Sequence, residues 1–333
     1  MCIFSKYLIL RAIRLLWIFA NFDLRSNLLC AQKSSKSFGF SFFFCNFAAM
    51  NIKHMWMNNC FRLLGAMLVC MLPLVADAYD FKSGTLYYTI VSKSQKTVEV
   101  AYGGTYSNRV VVPAEVTYQN KKWKVVGLGP DAFYGSGKMT ELVLPRTLKY
   151  ISGGALDYCT GLTRLDLPEG VTLRRYCLRH AGLVSLRIPK GTQWHGDHFG
   201  QLSNMPWLTS VEFAEGIDTI PVAAFQFDSK LERVILPNTL KRIGKYAFVG
   251  CSSLKVLDIP SSVLSMGRVV DDGKSALREI HVHWQDPIRI VTNTFTNETY
   301  LEGVLYVPRN TKVKYRQMVG WRNFKNIEEV DEF

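Results

Sequence analysis

Three groups of residues in this sequence have types and spacings that could carry chemistry. His195, Asp197 and His198 put two imidazoles and a carboxylate within four residues, a set able to hold a transition metal. A closed zinc site takes four ligands, and no fourth stands near them, so the simpler reading is a loop in which His198 fills a packing position. His281 and His283 share one face of a strand, but two ligands alone do not make a site. Cys159 and Cys251 each lie four residues after an alanine, Ala155 and Ala247, and a small apolar group at a recurring place reads as core rather than as a nucleophile. The phosphate-cradling glycine loop, the nucleophile elbow, the H-E-x-x-H helix and the dinucleotide glycine fingerprint are missing from the sequence. The expectation is therefore no enzyme, no cofactor and no metal, with an enzyme or metal-dependent activity on a repeat scaffold as the alternative.

The elements that position these residues repeat. A short apolar strand that usually ends in proline recurs at Pro113, Pro145, Pro168, Pro189, Ala214, Pro237, Pro260, His283 and Pro308, at intervals of 32, 23, 21, 25, 23, 23, 23 and 25 residues. Six residues before most of these anchors stands another apolar residue, from Met139 and Leu162 to Leu254 and Leu277. Nine or ten after most of them comes a small-then-large pair: Ala155-Leu156, His198-Phe199, Ala224-Phe225, Ala247-Phe248. A period near 23 residues falls in the range of leucine-rich repeats.

The physics of one unit follows from residues 231–251, LERVILPNTLKRIGKYAFVGC. In L-x-x-L-x-L-P the alternate residues, Leu165 and Leu167 in one turn, face inward while Arg164 and Asp166 face out. Proline has no N–H and ends the pairing, so the chain turns away. The L-x-x-I-G-x-x-A-F segment then returns over the core, alanine leaving room and phenylalanine filling it. One turn cannot bury its own apolar face, so the turns must stack.

Residues 1–78 stand outside this pattern. Lys53 and Arg62 precede an apolar run of 14 residues, Leu63 to Ala76, followed by Ala76-Asp77-Ala78, a small-x-small site just before Tyr79. Such a run rises ~21 Å as a helix against a hydrocarbon core of ~30 Å, which suits a secretory signal better than a membrane span. Residues 50–78 read as a signal peptide cleaved after Ala78, and residues 1–49 as an over-called start. A second membrane segment at residues 7–20, interrupted by Arg11 and Arg14, is the rival.

Removing the leader lowers the net charge from +13 to +7. The remaining basic residues are dispersed, with Lys121, Lys122 and Lys124 the densest group, so a nucleic-acid partner is not expected. Cys159, Cys177 and Cys251 remain, an odd number that does not suggest a disulfide framework.

The unit L-x-x-L-x-L-P-x-x-L-x-x-I-G-x-x-A-F-x-x-C resembles the BspA-type leucine-rich repeats of secreted and surface proteins from host-associated anaerobic bacteria. The opening from Asp80-Phe81 through Tyr88-x-Ile90 and Val98-Glu99-Val100 is similar to that family's β-rich entry. Residues 305–330 are similar to its closing strand, short helix and final strand. The resemblance covers about residues 80–330 and implies a β-rich leucine-rich-repeat solenoid capped at both ends. A parallel sheet would form its concave face, with turns and short helical segments on the convex side. The corresponding organisation is a β-rich cap over 79–126, repeats over 127–302 and a closing cap over 303–333. Members are linked to adhesion, including binding of host extracellular-matrix proteins. The turns around Cys177, His198 and Met266 lack the alanine-phenylalanine pair, and Ala214 and His283 replace the anchor proline.

Function is then expected on the outward columns of the stacked strands. Arg164, Asp166, Arg187, Glu212, Arg233, Ile235, Asp258, His281 and Tyr306 are the candidate binding residues, with Asp166, Arg187 and Glu212 as a cross-strand charge ladder. A protein or glycan would suit this mixed surface. Trp194 and Trp207, flanking the longer turn, could form a second patch.

Overall fold

The computed structural model describes residues 79–195, 200, 202–270 and 275–331; the leader read over residues 1–78, with its cleavage site, lies outside the described residues. By its contacts the chain divides into Met1–Val75 and Ala76–Phe333, and the described residues all belong to the second unit.

That unit opens on strands β1 (Phe81–Ser83), β2 (Leu86–Ser92) and β3 (Thr97–Ala101), paired antiparallel in succession. Tyr88 faces Val100 and Ile90 faces Val98 across the polar turn. Strands β4 (Ser107–Val111), β5 (Glu115–Tyr118) and β6 (Lys121–Leu128) follow, β6 lying parallel to β3 and antiparallel to β5. From here the chain coils, and most turns place a strand of the proline-ended type on a first ladder and a shorter strand on a second.

The first ladder holds β7 (Lys138–Val143), which pairs with β4, and, in later turns, the second-ladder strands β8 (Tyr150–Ile151) and β9 (Thr172–Arg174) alternate with it. Then come β10 (Ser185–Ile188) on the first ladder, β11 (Gln193–His195) on the second, and onward β12 (Ser210–Phe213), β13 (Thr219–Ile220), β14 (Arg233–Ile235), β15 (Arg242–Ile243), β16 (Val256–Ile259), β17 (Ser265–Met266) and β18 (Glu279–Val282). On the first ladder β10, β12 and β14 run parallel, as do β16 and β18. The second ladder joins β6, β8, β9 and β11, and separately β13, β15 and β17, again parallel. Among the described residues the return legs of the repeats are turns and this second ladder rather than short helices: the L-x-x-I position, seen in sequence only as a returning segment, is itself a short strand whose Ile151, Ile220 and Ile243 are buried.

Period-two burial sets the first ladder. In β10 Ser185 and Arg187 are exposed while Leu186 and Ile188 are buried, and β16 repeats this with Val256 and Asp258 out, Leu257 and Ile259 in. Six return turns then carry two left-handed residues four positions apart: Asp131 and Gly135, Gly154 and Tyr158, Tyr176 and His180, Gly200 and Asn204, Ala223 and Phe227, Tyr246 and Gly250. A left-handed residue other than glycine costs about 1–2 kcal/mol, so stacking must hold these turns. Between them sits the small-then-large pair, buried as Ala132-Phe133, Ala155-Leu156, Cys177-Leu178, Ala224-Phe225 and Ala247-Phe248.

That pattern corrects one reading. The pair assigned to His198-Phe199 belongs later, because the left-handed corners of that turn are Gly200 and Asn204 and the buried filler is Leu202. Asp197, His198 and Phe199 lie outside the described residues. The turn at Cys177, read as lacking the pair, fills the same slot with Cys177 and Leu178.

The chain ends with helix α1 (Asn297–Glu302), β19 (Val304–Pro308), helix α2 (Lys312–Gln317), a 3-10 turn at Trp321–Asn323 and β20 (Asn326–Val330). Strands β18, β19 and β20 extend the first ladder in parallel. Tyr315 and Trp321 are fully buried, the phenol donating to the Trp284 carbonyl and the indole to that of Ile288, each at 2.8 Å. Val313, on the outer side of α2, is 67% exposed.

Candidate binding face

The outward residues of the first ladder fall into rows because parallel in-register strands put equivalent positions side by side. One row runs Arg187, Glu212, Ile235 across β10, β12 and β14. The Arg187 Nε donates to Glu212 Oε1 at 3.1 Å, with both side chains exposed. An exposed pair of this kind contributes ~0–1 kcal/mol, so it orders the surface more than it stabilises the fold. Ile235 is 39% exposed at the end of the row, and Arg233 stands beside Ser210 in the parallel row.

A second row runs Asp258, His281, Tyr306, Glu328 across β16, β18, β19 and β20. The His281 and Tyr306 rings meet edge to face, their centres 4.8 Å apart. His283 Nε2 lies 2.6 Å from Asp258 Oδ1, and His281 Nε2 lies 3.8 Å from Glu279. Glu328 completes this row and was missed in sequence, because β20 has no L-x-x-L-x-L-P pattern to align it.

Arg164 and Asp166 are placed differently. The sequence around them, LTRLDLP, matches the repeat, yet residues 162–168 form no strand. The expected ladder Asp166–Arg187–Glu212 is therefore only half formed: Arg187 pairs with Glu212, and Asp166 is not in register with it. Arg164 and Asp166 instead line a cavity of about 600 Å³, together with Thr163, Leu165 and the run Thr140–Leu144 of the turn before.

At the corner of the turns a further group comes together that the columns did not include. The carboxylate of Asp157, 3% exposed, accepts from Arg179 Nη2 at 2.6 Å and Nε at 3.1 Å and lies 3.1 Å from His180 Nδ1. Tyr158 and His180 stack with ring centres 4.3 Å apart, and Tyr134 meets Tyr158 edge on. Their spacing of one repeat was the available signal. Of the two tryptophans, Trp194 is half-buried and its indole donates to the Thr219 carbonyl at 2.9 Å, which ties it to the second ladder; Trp207 is 41% exposed.

The cysteines serve the core. Cys159 and Cys251 donate to the carbonyls of Phe133 and Phe225, at 3.2 and 3.1 Å, and burial pushes the Cys159 thiol up to about 12. Cys177 fills the alanine slot, is likewise pushed up to about 12 by burial, and all three are unbridged. Among the described residues no three of His, Cys, Asp or Glu gather around a position for a metal ion. No helix of the described residues is long and apolar enough to cross a membrane.

The profile described as BspA type leucine rich repeat region matches residues 126–226 and 200–325, in 6 copies. No curated protein matches the sequence. Among solved structures, a leucine-rich repeat protein of Bacteroides ovatus is similar at 19% identity over 76% of this chain and 77% of that one, with a TM-score of 0.43. The leucine rich repeat protein of T. pallidum gives 18% identity over 52% of this chain and 91% of its own, at 0.41. A leucine rich cell surface protein of Faecalibacterium prausnitzii gives 13% identity over 72% and 97%, at 0.31.

Proposed function

From the premise that the chain belongs to the family of BspA-type leucine-rich-repeat proteins, we propose that it is a non-catalytic recognition protein of adhesive type, acting outside the cell. Repeats of this family are usually surface-associated and generally non-catalytic, and leucine-rich repeats typically bind proteins. The observation that carries the reading is the pair of in-register rows on the first ladder, Arg187–Glu212–Ile235 and Asp258–His281–Tyr306–Glu328. They present charge, imidazole, phenol and apolar surface on a backbone fixed by its neighbours, and Arg164, Asp166 and Arg233 extend that surface. A protein or glycan partner is the fit, host extracellular matrix being the first to try.

Export accompanies this proposal. Residues 50–78 serve as a cleaved signal peptide, residues 1–49 precede the true start, and the mature chain is built as an entry cap at 79–126, repeats at 127–302 and a closing cap at 303–333.

The test is capture of host matrix proteins and glycans by the exported chain, followed by substitution. Ile235→Ser with Tyr306→Ala removes apolar contact without adding charge. Loss of a central contact should weaken a specific partner by ~2 kcal/mol, roughly thirtyfold, while Lys190→Ala should leave affinity unchanged. Normal binding by the folded double variant, with loss in Trp207→Ala, would move recognition to the turn between Pro189 and Ala214.

A further inference from the structure

Among the described residues the first ladder is interrupted twice, between β14 and β16 and between β7 and β10, and a cavity lines the second break. Strand β7 pairs with β4 on one side, Arg109 opposite Glu141 and Val111 opposite Val143, and among the described residues no strand pairs with it on the other. The next turn supplies the right sequence, Leu162 to Pro168, but its main chain stays out of the ladder. A single bond, from the Val184 N–H to the Thr163 carbonyl at 3.3 Å, ties this segment to the turn beyond. Across the gap, Thr140–Leu144 and Thr163–Asp166 face one another around the cavity of about 600 Å³.

The opening is lined by main chain. In a parallel ladder, alternate residues direct their N–H and C=O to opposite neighbours. The Val143 carbonyl accepts from Val112 at 2.9 Å on the β4 side, so the peptide groups of Leu142 and Leu144 turn to the cavity. Among the described residues, Arg164, Leu165, Asp166 and Leu167 also make no main-chain hydrogen bond across it. Same-side peptide groups along a strand recur every two residues, ~6.6 Å apart, a spacing that a polypeptide backbone reproduces and a glycan does not. Charged side chains frame the ends: Glu141, already joined to Arg109 at 3.0 Å, and Arg164 and Asp166.

We propose that this opening receives an extended segment of a protein partner, which adds as a strand along the free edge of β7. Main-chain pairing supplies the affinity and Glu141, Arg164 and Asp166 select the sequence. The proposal rests on the reading that partners meet the first ladder, and it specifies the partner's backbone form.

The test uses a capped peptide with the chain's own regular strand sequence, residues 253–260, SLKVLDIP, which already fits this repeat. Hydrogen exchange of the exported protein with and without the peptide should show protection at 140–144 and 163–167. Two further peptides carry N-methyl groups on alternate residues; one of the two should bind at least about tenfold more weakly, because the carbonyls of the strand edge lose the N–H groups the peptide would donate to them. Thr140→Trp, which fills the opening from an exposed position, should weaken the parent peptide similarly. Equal binding by all three peptides, or no binding at about 1 mM, overturns the proposal. Protection confined to the Arg187–Tyr306 rows also overturns it while leaving the proposed function standing. If Ile235→Ser with Tyr306→Ala does not alter capture of a matrix partner but Thr140→Trp does, the strand edge stands and the two rows lose their assigned role.

Discussion

Asp228 occupies the turn position that Cys251 holds one repeat later, each four residues after the alanine of the small-then-large pair. Where Cys251 donates its thiol proton to the Phe225 carbonyl, Asp228 accepts from the Met205 N–H at 2.7 Å through Oδ1, and its Oδ2 has no hydrogen-bond partner among the described residues. The carboxyl is fully buried, and burial raises its pKa well above the usual carboxylate range, against the lowering effect of the Met205 bond.

A pH dependence follows. The folded chain holds a proton on Asp228 that the unfolded chain releases near its ordinary value of ~3.9. Stability from this group is therefore full below ~pH 4 and is lost as pH rises from there toward the folded value. Asp228→Asn keeps the acceptor for Met205 and removes the titration. Denaturant unfolding should show Asp228→Asn gaining on the parent between pH 4 and pH 7; parallel pH profiles for the two proteins would show that this carboxyl does not titrate with folding.

A close approach gives the second prediction. Tyr150 lies over Gly127, so near that a Cβ there would sit 2.2 Å from the ring, and the phenol donates to Glu99 Oε2 at 2.8 Å. Gly127→Ala should displace the ring and cost ~1–3 kcal/mol. Tyr150→Ser placed with it should recover part of that loss. A cycle in which the two changes simply add would mean the ring moves aside freely.

The repeated core gives the third. Phe248 is 1% exposed and stacks on Phe225 with ring centres 5.9 Å apart. Phe248→Ala should cost ~3–5 kcal/mol in thermal or denaturant unfolding. Cys251→Ser should cost less, because a hydroxyl can still reach the Phe225 carbonyl, and it should leave migration on a non-reducing gel unchanged. A changed band would reveal a disulfide.

Processing is the fourth. N-terminal sequencing of the exported protein should read Tyr79-Asp80-Phe81. Peptides from residues 1–49 in that material would refute the over-called start.

Legibility in the sequence tracked the source of each signal. The first ladder was readable because Leu186 and Ile188, or Leu257 and Ile259, alternate with exposed residues and end in proline. The β2–β3 pairing was readable from the same alternation in Tyr88, Ile90, Val98 and Val100. The second ladder was not, since a two-residue strand such as Ile243 with Arg242 leaves no period to detect. Among the candidate residues, Arg187, Glu212, Ile235, Asp258, His281 and Tyr306 share rows as the register requires. Arg164 and Asp166 leave the row because a matching sequence does not guarantee a closed ladder; the short interval of 21 residues from Pro168 to Pro189 was the only warning. His198 misled because the spacing was counted from an anchor in a lengthened turn, whereas the corners at Gly200 and Asn204 set the slot.

The paired left-handed corners carry a consequence for how much of this chain can exist alone. Tyr158, Tyr176, His180, Ala223, Phe227 and Tyr246 all hold a backbone conformation that their own chemistry disfavours. Shape in each coil is thus borrowed from the coils on either side, and a coil at a cut end has only one lender. Shortening the array by one repeat should therefore loosen the newly terminal repeat as well, so that order is a property of the run and not of its members. Such a chain is suited to lengthening by duplication of interior repeats, each new copy arriving between two finished templates.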